Sequence, residues 1–159
     1  MMKTFNIDNN RILNLVENND EIHILDKTTM KAAVFTPARW ASFMLCLDEI
    51  HDQVCKLIEG AHVAYLNHYG GGWHVTVSRG LHGADLRKFY VPLGETSCKP
   101  TSMGITLSVT EWLKLREVIR FLHRDNPSVT DFLPCTYNHS SPQGLSTCQE
   151  CNPFPTIIM

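Results

Sequence analysis

Apolar and polar residues alternate along two stretches of the chain, and each stretch leads into a pattern with a helical period. Period-two alternation is typical of half-buried strands, and turn residues such as the glycines 70–72 separate the alternating runs. The predicted strands are residues 4–7, 11–17, 21–27, 31–36, 62–69, 73–79, 84–91 and 104–108. Each stretch therefore predicts an antiparallel meander of about four strands.

After each meander the apolar residues recur every three or four positions, which predicts an amphipathic helix. The first pattern runs without a break from Trp40 to Ile58, and Gly60 follows as a stop signal. The second runs from Trp112 to Leu122 and ends before the sequence "DNP". Each helix carries one apolar stripe and needs a surface to cover it, which the preceding sheet supplies.

The two helices begin with the same signal, written twice at an offset of 72 residues. Thr36 and Ser108 are predicted N-caps, each four positions before a tryptophan, and each follows an apolar residue that forms a hydrophobic staple with that tryptophan. Glu111 completes a capping box with Ser108, and Pro37 suits the first helical position. The chain is thus predicted to hold two repeats of one α+β unit.

Composition divides the chain into three parts, which we predict as domains: residues 1–60, 61–127 and 128–159. The chain has 159 residues and a formal net charge of −2. Residues 1–60 hold 6 basic and 9 acidic side chains, residues 61–127 hold 8 and 5, and residues 128–159 hold none and 2. A polyanion would therefore meet the middle part, because binding to phosphates needs cations gathered on one surface. We see neither a membrane span nor a signal peptide and expect an intracellular protein.

The second repeat resembles a known family. The stretch "DLRKFY" in a strand, "KP" in the following loop and "GITLS" leading into a helix are similar to the single-stranded-DNA-binding domain of the transcriptional coactivator positive cofactor four, whose relatives include the Whirly-like proteins. The resemblance covers most of residues 62–122, and residues 1–60 look like a degenerate copy. It implies a pseudo-dimer within one chain, paired helix to helix, although a larger assembly stays open.

The resemblance also implies a binding site for unpaired DNA or RNA. By position, Arg87 and Lys88 match the polar and basic residues of the third strand, Tyr90 matches a base-stacking aromatic, Lys99 matches a loop lysine, and Arg79 matches a residue of the second strand. The turn "GLHG" is shorter than in the family, and Thr101, Ser102 and Met103 stand where the family is more basic. We therefore expect weaker or more selective binding. For Trp73 the sequence favours ordinary packing.

The tail beyond residue 127 shows the ligand spacing of a zinc site. Cys135 and His139 form a C-x3-H pair, and Cys148 and Cys151 form a C-x2-C pair, with "SPQG" as a turn between them. A segment with so few apolar residues does not fold on burial alone, so a structural zinc ion is the predicted source of its stability. His123 or Cys98 stays open as a replacement in the first pair, and a loose tail with free thiols is the alternative.

The function predicted from these patterns is non-enzymatic binding of single-stranded nucleic acid in transcription or replication, in a nucleus or a virus-infected cell, with proteins of those processes as further partners. The alternative is a protein–protein adaptor that keeps the fold without the nucleic-acid site. A nucleic-acid-processing enzyme is disfavoured because we see no cluster of carboxylates for a metal. His51 and Cys55 lie one helical turn apart, yet their apolar surroundings indicate core packing.

Overall fold

The chain folds as two four-stranded antiparallel sheets, each followed by helices, as the sequence predicts. The computed structural model describes residues 2–154. The strands of the first sheet, in spatial order, are β1 Met2–Asn6, β2 Arg11–Val16, β3 Glu21–Asp26 and β4 Ala32–Phe35. Those of the second are β5 Ala64–Gly70, β6 Trp73–Ser78, β7 Gly83–Tyr90 and β8 Lys99–Ser108. The main helices are α1 Pro37–Leu45, α2 Leu47–Ile58 and α3 Val109–Asp125.

Both predicted helix starts are confirmed. The Thr36 hydroxyl accepts a hydrogen bond from the backbone N–H of Arg39 at 3.3 Å, and Pro37 takes the first helical position. Ser108 accepts from the backbone N–H of Glu111 at 3.2 Å, while the Glu111 carboxylate accepts from the Ser108 N–H at 2.9 Å. These bonds satisfy amides that have no partner within the helix, so the capping residues set where each helix begins.

The prediction of one long helix at residues 40–58 is wrong, because the helix breaks at Cys46. There the backbone N–H and the Cys46 thiol both donate to the carbonyl of Phe43, at 3.2 and 3.3 Å. Neither glycine nor proline marks this break, so periodicity alone misses it. The break separates two roles: α1 contacts β3 and β4 of the first sheet and β5 of the second, whereas α2 contacts β6 and β7.

One hydrophobic core joins the two halves. Its buried residues come from both sheets and all three main helices. The ring of Phe35 stacks on Tyr69 at a centroid distance of 5.3 Å, and Phe43 meets Trp112 edge-on at 6.4 Å. The predicted boundary at Gly60 therefore separates two sequence repeats that share their packing.

Two hydrogen bonds link the helices of the halves reciprocally. The Trp40 indole N–H donates to His123 Nε2 at 3.2 Å, and the Trp112 indole N–H donates to His51 Nδ1 at 3.4 Å. The two tryptophans are 72 residues apart, and so are the two histidines. Burial lowers the pKa of both His51 and His123, which favours the neutral ring that can accept these bonds.

The second sheet differs from the sequence prediction at the start of β8 and at the end of β6. Residues 92–103 were predicted as a loop, yet β8 already begins at Lys99, which pairs with Tyr90 of β7 past a bulge near Lys88. Arg79 was predicted on the second strand, but it begins the short 3-10 turn Arg79–Leu81 that follows β6. Within residues 2–154, no helix has the length and apolar character needed to cross a membrane.

Candidate nucleic-acid interface and metal centre

The strands β7 and β8 extend past the rest of their sheet as a two-stranded arm, defined here as residues 89–100. The last residue of β7 paired with β6 is Lys88, so within the described sheet Tyr90 and Lys99 have no strand partner besides each other. The Tyr90 side chain is 47% exposed, as expected of an aromatic available for stacking. Lys88 stands at the base of the arm and is half-buried. The arm and its base therefore hold three of the five predicted nucleic-acid residues: Tyr90 and Lys99 in the arm, and Lys88 at its base.

Arg87 is held by internal contacts. Its guanidinium donates to the Asp85 carboxylate, with Nε to Oδ2 at 3.0 Å and Nη2 to Oδ1 at 3.0 Å, and Nη1 donates to the carbonyl of Thr101 at 3.1 Å. Asp85 also accepts from the Thr106 hydroxyl at 2.6 Å and is buried. Arg87 thus joins β7 to β8 at the base of the arm. The spacing "DLR" carried this signal, since residues two apart share one face of a strand.

Arg79 and Lys99 sit in different settings. Arg79 follows Ser78, which pairs with Gly83 at the far end of β7, about 23 Å of strand from Tyr90. Lys99 lies in the arm and pairs with Glu95 at 3.0 Å. An exposed pair of this kind contributes little, so a phosphate can displace the carboxylate. The five predicted residues therefore do not form a single cluster.

Trp73 is 2% exposed and belongs to the core, which confirms the packing interpretation. The opposite face of the second sheet instead holds a stack of rings, with His74 4.5 Å from Phe89 and 5.0 Å from His68 between ring centroids. Burial lowers the pKa of His68 to about 4, so its ring is neutral at pH 7. The sequence carried a signal for this pair, because His68 and His74 are opposite each other across the β5–β6 hairpin.

The four predicted metal ligands come together in the tail. The ligand atoms of Cys135, His139, Cys148 and Cys151 all lie within 4.8 Å of one another. Cys135 Sγ is 3.7 Å from Cys148 Sγ and 3.8 Å from His139 Nε2. Tetrahedral zinc with Zn–S bonds of about 2.3 Å places two sulfurs about 3.8 Å apart. The cluster is therefore compatible with a zinc site.

No family model, curated protein or solved structure matches the chain.

The local fold of the tail brings the four ligands of the cluster together. A 3-10 turn, Cys135–Asn138, begins with the first ligand and ends directly before the second, His139. The segment predicted as a turn is a short helix, α4 Pro142–Thr147, capped by the Ser141 hydroxyl. Asn152 N–H then closes a turn onto the carbonyl of Cys148 at 2.8 Å.

The chemistry of the thiols also suits a metal. None of the six cysteines forms a disulfide. Hydrogen bonds from the backbone of Cys151 lower the pKa of Cys148 to about 7, whereas burial raises the pKa of Cys151 to about 12. Metal binding would favour the thiolate at each of the three cysteines and the neutral ring at His139. The two other ligands that the sequence left open lie outside the cluster. His123 accepts a hydrogen bond from the Trp40 indole, and Cys98 lies in the β7–β8 arm.

Glu150, between the last two cysteines, anchors this cluster to both halves of the body. Its carboxylate accepts from Arg39 of α1, at 2.6 Å from Nε and 2.9 Å from Nη2, and its carbonyl accepts from the Gly71 N–H at 2.8 Å. A Cβ at Gly70 would lie 2.8 Å from the Glu150 carboxylate and 2.9 Å from the Arg39 side chain. Glycine is favoured at all three positions because φ is positive, 135° at Gly70, 60° at Gly71 and 87° at Gly72. Gly71 and Gly72 form the predicted turn, whereas Gly70 ends β5.

Proposed function

We propose that this chain is a non-enzymatic single-stranded nucleic-acid-binding protein that acts in transcription or replication, in a nucleus or a virus-infected cell. The observation that carries the proposal is the β7–β8 arm, which places an exposed Tyr90 beside Lys99 and next to Lys88. Lysines interact with phosphates, and an aromatic face gains about 1–3 kcal/mol for each unpaired base stacked on it. A duplex hides those base faces, so unpaired strands are the preferred ligand.

We further propose that the two repeats form a pseudo-dimer inside the chain. The support is the reciprocal pair of bonds, Trp40 to His123 and Trp112 to His51, which a twofold axis between the repeats would interchange. The shared core points the same way, because each half covers apolar side chains of the other. The duplicated helix signal then has a physical reason, since each helix needs both its own sheet and the other repeat.

The tail, in this proposal, holds one structural zinc ion. Its four donors leave no open coordination position, which is the arrangement of structural and not of catalytic zinc. The tail offers few buried apolar side chains, so metal ligation is its main source of order. Through Glu150 the folded tail is fixed to α1 and to the β5–β6 turn.

Substitutions in the arm separate the two contributions to binding. Lys88→Ala and Lys99→Ala should each reduce the slope of log affinity against log salt by about 0.7, because each removes one phosphate contact to a single strand. Tyr90→Ala should weaken binding by about 1–3 kcal/mol, roughly 5- to 150-fold, and leave the slope unchanged. Fluorescence anisotropy with a labelled unpaired oligonucleotide at several salt concentrations measures both quantities.

Lys27→Ala is the matched control, since Lys27 is exposed in a turn of the first sheet and is not part of the arm. It should change neither affinity nor slope. Arg87→Ala is avoided because it would leave Asp85 buried without its partner. If the arm variants and the control behave alike, the arm is not the binding site.

A second candidate function, the adaptor, is favoured by one surface. Leu45, Leu133 and Tyr137 are each at least 60% exposed, and they border a groove of about 370 Å³ between α1 and the tail. Exposed apolar patches of this kind mark protein-binding surfaces. An adaptor would lose partner binding on Tyr137→Ala and keep it on Lys88→Ala, the reverse of the result expected for a nucleic-acid site.

A further inference from the structure

The fold contains the same groove twice, each time between a helix of one half and the first strand of the other half's sheet. One groove lies between α1 and β5, and the other lies between α3 and β1. The helices correspond at the offset of 72 residues, so Ser42 in the first groove corresponds to Lys114 in the second. The strands correspond through the residues they pair with. Phe5 of β1 pairs with the buried Leu13 of β2, and Asn67 of β5 pairs with the buried Val75 of β6, so Phe5 and Asn67 are equivalent positions.

The chain fills the first groove with its own tail. Cys135, Thr136, Glu150 and Cys151 line what remains there, a cavity of about 160 Å³, together with His68 and Tyr69 of β5. The neighbouring face of α1 is covered too, since Ala41 is 8% exposed and shares a groove wall with Val129 and Phe132 of the tail.

No tail residue within the described range, 2–154, covers the second groove. It measures about 560 Å³, and its walls are residues 4–7 along β1 and the exposed face of α3. Leu113, the counterpart of the covered Ala41, is 43% exposed, and Phe121 is 40% exposed. β1 is also an edge strand, so half of its backbone hydrogen-bonding groups have no partner strand. This surface therefore combines exposed apolar side chains of α3, set among charged ones, with the edge of a strand.

The tail of another copy does not suit the second groove. In the first groove the tail is anchored by Arg39, which binds Glu150. The counterpart of Arg39 in the second groove is Glu111, whose carboxylate accepts from the Ser108 N–H and pairs with Arg11 at 3.3 Å. Docking the tail there would place the Glu150 carboxylate against another carboxylate, which is unfavourable.

We propose that the second groove is a twofold interface with another copy of this chain, in which β1 pairs antiparallel with β1 and the faces of α3 meet. The charges on α3 are self-complementary about Phe121: Glu117 precedes it by four residues and Arg124 follows it by three, so both lie one turn away. A twofold axis at Phe121 brings each Glu117 to the partner's Arg124 and stacks the two Phe121 rings.

Antiparallel pairing of the β1 edges of two copies is compatible with the same twofold axis. Lys3 donates to Asn126 at the end of α3 at 2.6 Å, which places the middle of β1 beside the last turns of that helix, near Phe121. Antiparallel pairing of β1 about Thr4 sets Lys3 against Phe5 and Met2 against Asn6, so no like charges are opposed. Among the described residues, Arg124 contacts Asp125 in an exposed ion pair and the Phe121 ring, 4.9 Å from its guanidinium carbon.

Charge reversal tests this interface with an internal control for folding. Glu117→Arg or Arg124→Glu alone opposes like charges at two symmetric positions and should weaken self-association about ten-fold or more. The double variant Glu117→Arg/Arg124→Glu restores opposite charges and should regain most of the affinity. Phe121→Arg should abolish association. Sedimentation velocity without nucleic acid, from micromolar to hundreds of micromolar protein, measures the dissociation constant, and circular dichroism checks the fold.

The expected result for the unmodified chain is a species of about twice 18.1 kDa at the higher concentrations. Asp52→Arg, which reverses an exposed carboxylate on α2, should leave it unchanged. A chain that stays monomeric throughout overturns the proposal, and so does an assembly that survives Phe121→Arg. A double variant no better than the single ones shows that Glu117 and Arg124 do not face each other and also overturns it.

Discussion

Protein purified without chelator will contain one zinc ion per chain, and Cys148→Ser will contain none. The reason is geometric, because four soft or borderline donors already lie within 4.8 Å of one another. Structural zinc contributes on the order of 10 kcal/mol to the folding of small modules, so the tail should unfold when zinc is lost. Acidification should also release the metal, because protons compete for thiolate and imidazole ligands. Elemental analysis gives the stoichiometry.

The effect of zinc loss on the body should be smaller. The tail is bound to it through Arg39, Glu150 and Gly71, whereas the shared core draws on the two sheets and helices. Hydrogen exchange should therefore rise in residues 135–152 and stay low in the core strands. Cys98→Ser is the matched control, since Cys98 is no ligand, and it should keep the zinc. Zinc content that is unaffected by Cys148→Ser would contradict the site.

Separating the chain after Gly60 will leave neither half stable alone. The cut removes the cover from Phe43, which packs on Tyr69 and Trp112, and from Trp40, which is bonded to His123. Burial of each large apolar side chain is worth about 1.5–3 kcal/mol, so several such losses approach the whole stability of a domain, about 5–15 kcal/mol. Light scattering should show aggregated or self-paired fragments, because apolar surface is exposed.

Co-expression of the two fragments provides the control for this experiment. The halves should then assemble into one particle with the circular dichroism spectrum of the intact chain, since the contacts between them do not need the link at Gly60. A well-behaved monomer of residues 61–159 would mean that the second repeat folds without the first, and the pseudo-dimer would be wrong.

Local signals gave most of the fold. The N-caps Thr36 and Ser108 were predictable because a cap is read from residues within one helical turn, and the strands followed from alternation. The break at Cys46 was not predictable. Its thiol bonds to the carbonyl of Phe43, but a cysteine is equally compatible with a continuous helix, so the residue type gives no sign of the break. The early start of β8 was hidden because the polar sequence from Lys99 to Gly104 does not alternate.

The candidate sites also divide into features that neighbouring residues predicted and features that depend on distant residues. The spacing of Cys135, His139, Cys148 and Cys151 predicted the metal cluster, because ligands close in sequence can meet within a short tail. The anchor between Arg39 and Glu150 joins residues 111 positions apart, and no local pattern indicates it. Asp85 holds Arg87 in the same way that a phosphate would, so matching residue types alone could not show that Arg87 is occupied.

The most direct test of the account is a titration of the chain with one labelled unpaired oligonucleotide and with its duplex, repeated at several salt concentrations. We expect the unpaired strand to bind more tightly, with a log–log salt slope of about −1.4 if the two arm lysines alone meet phosphate and about −2.8 if four cations do. Equal or tighter binding of the duplex, or binding that does not depend on salt, would contradict the proposed function.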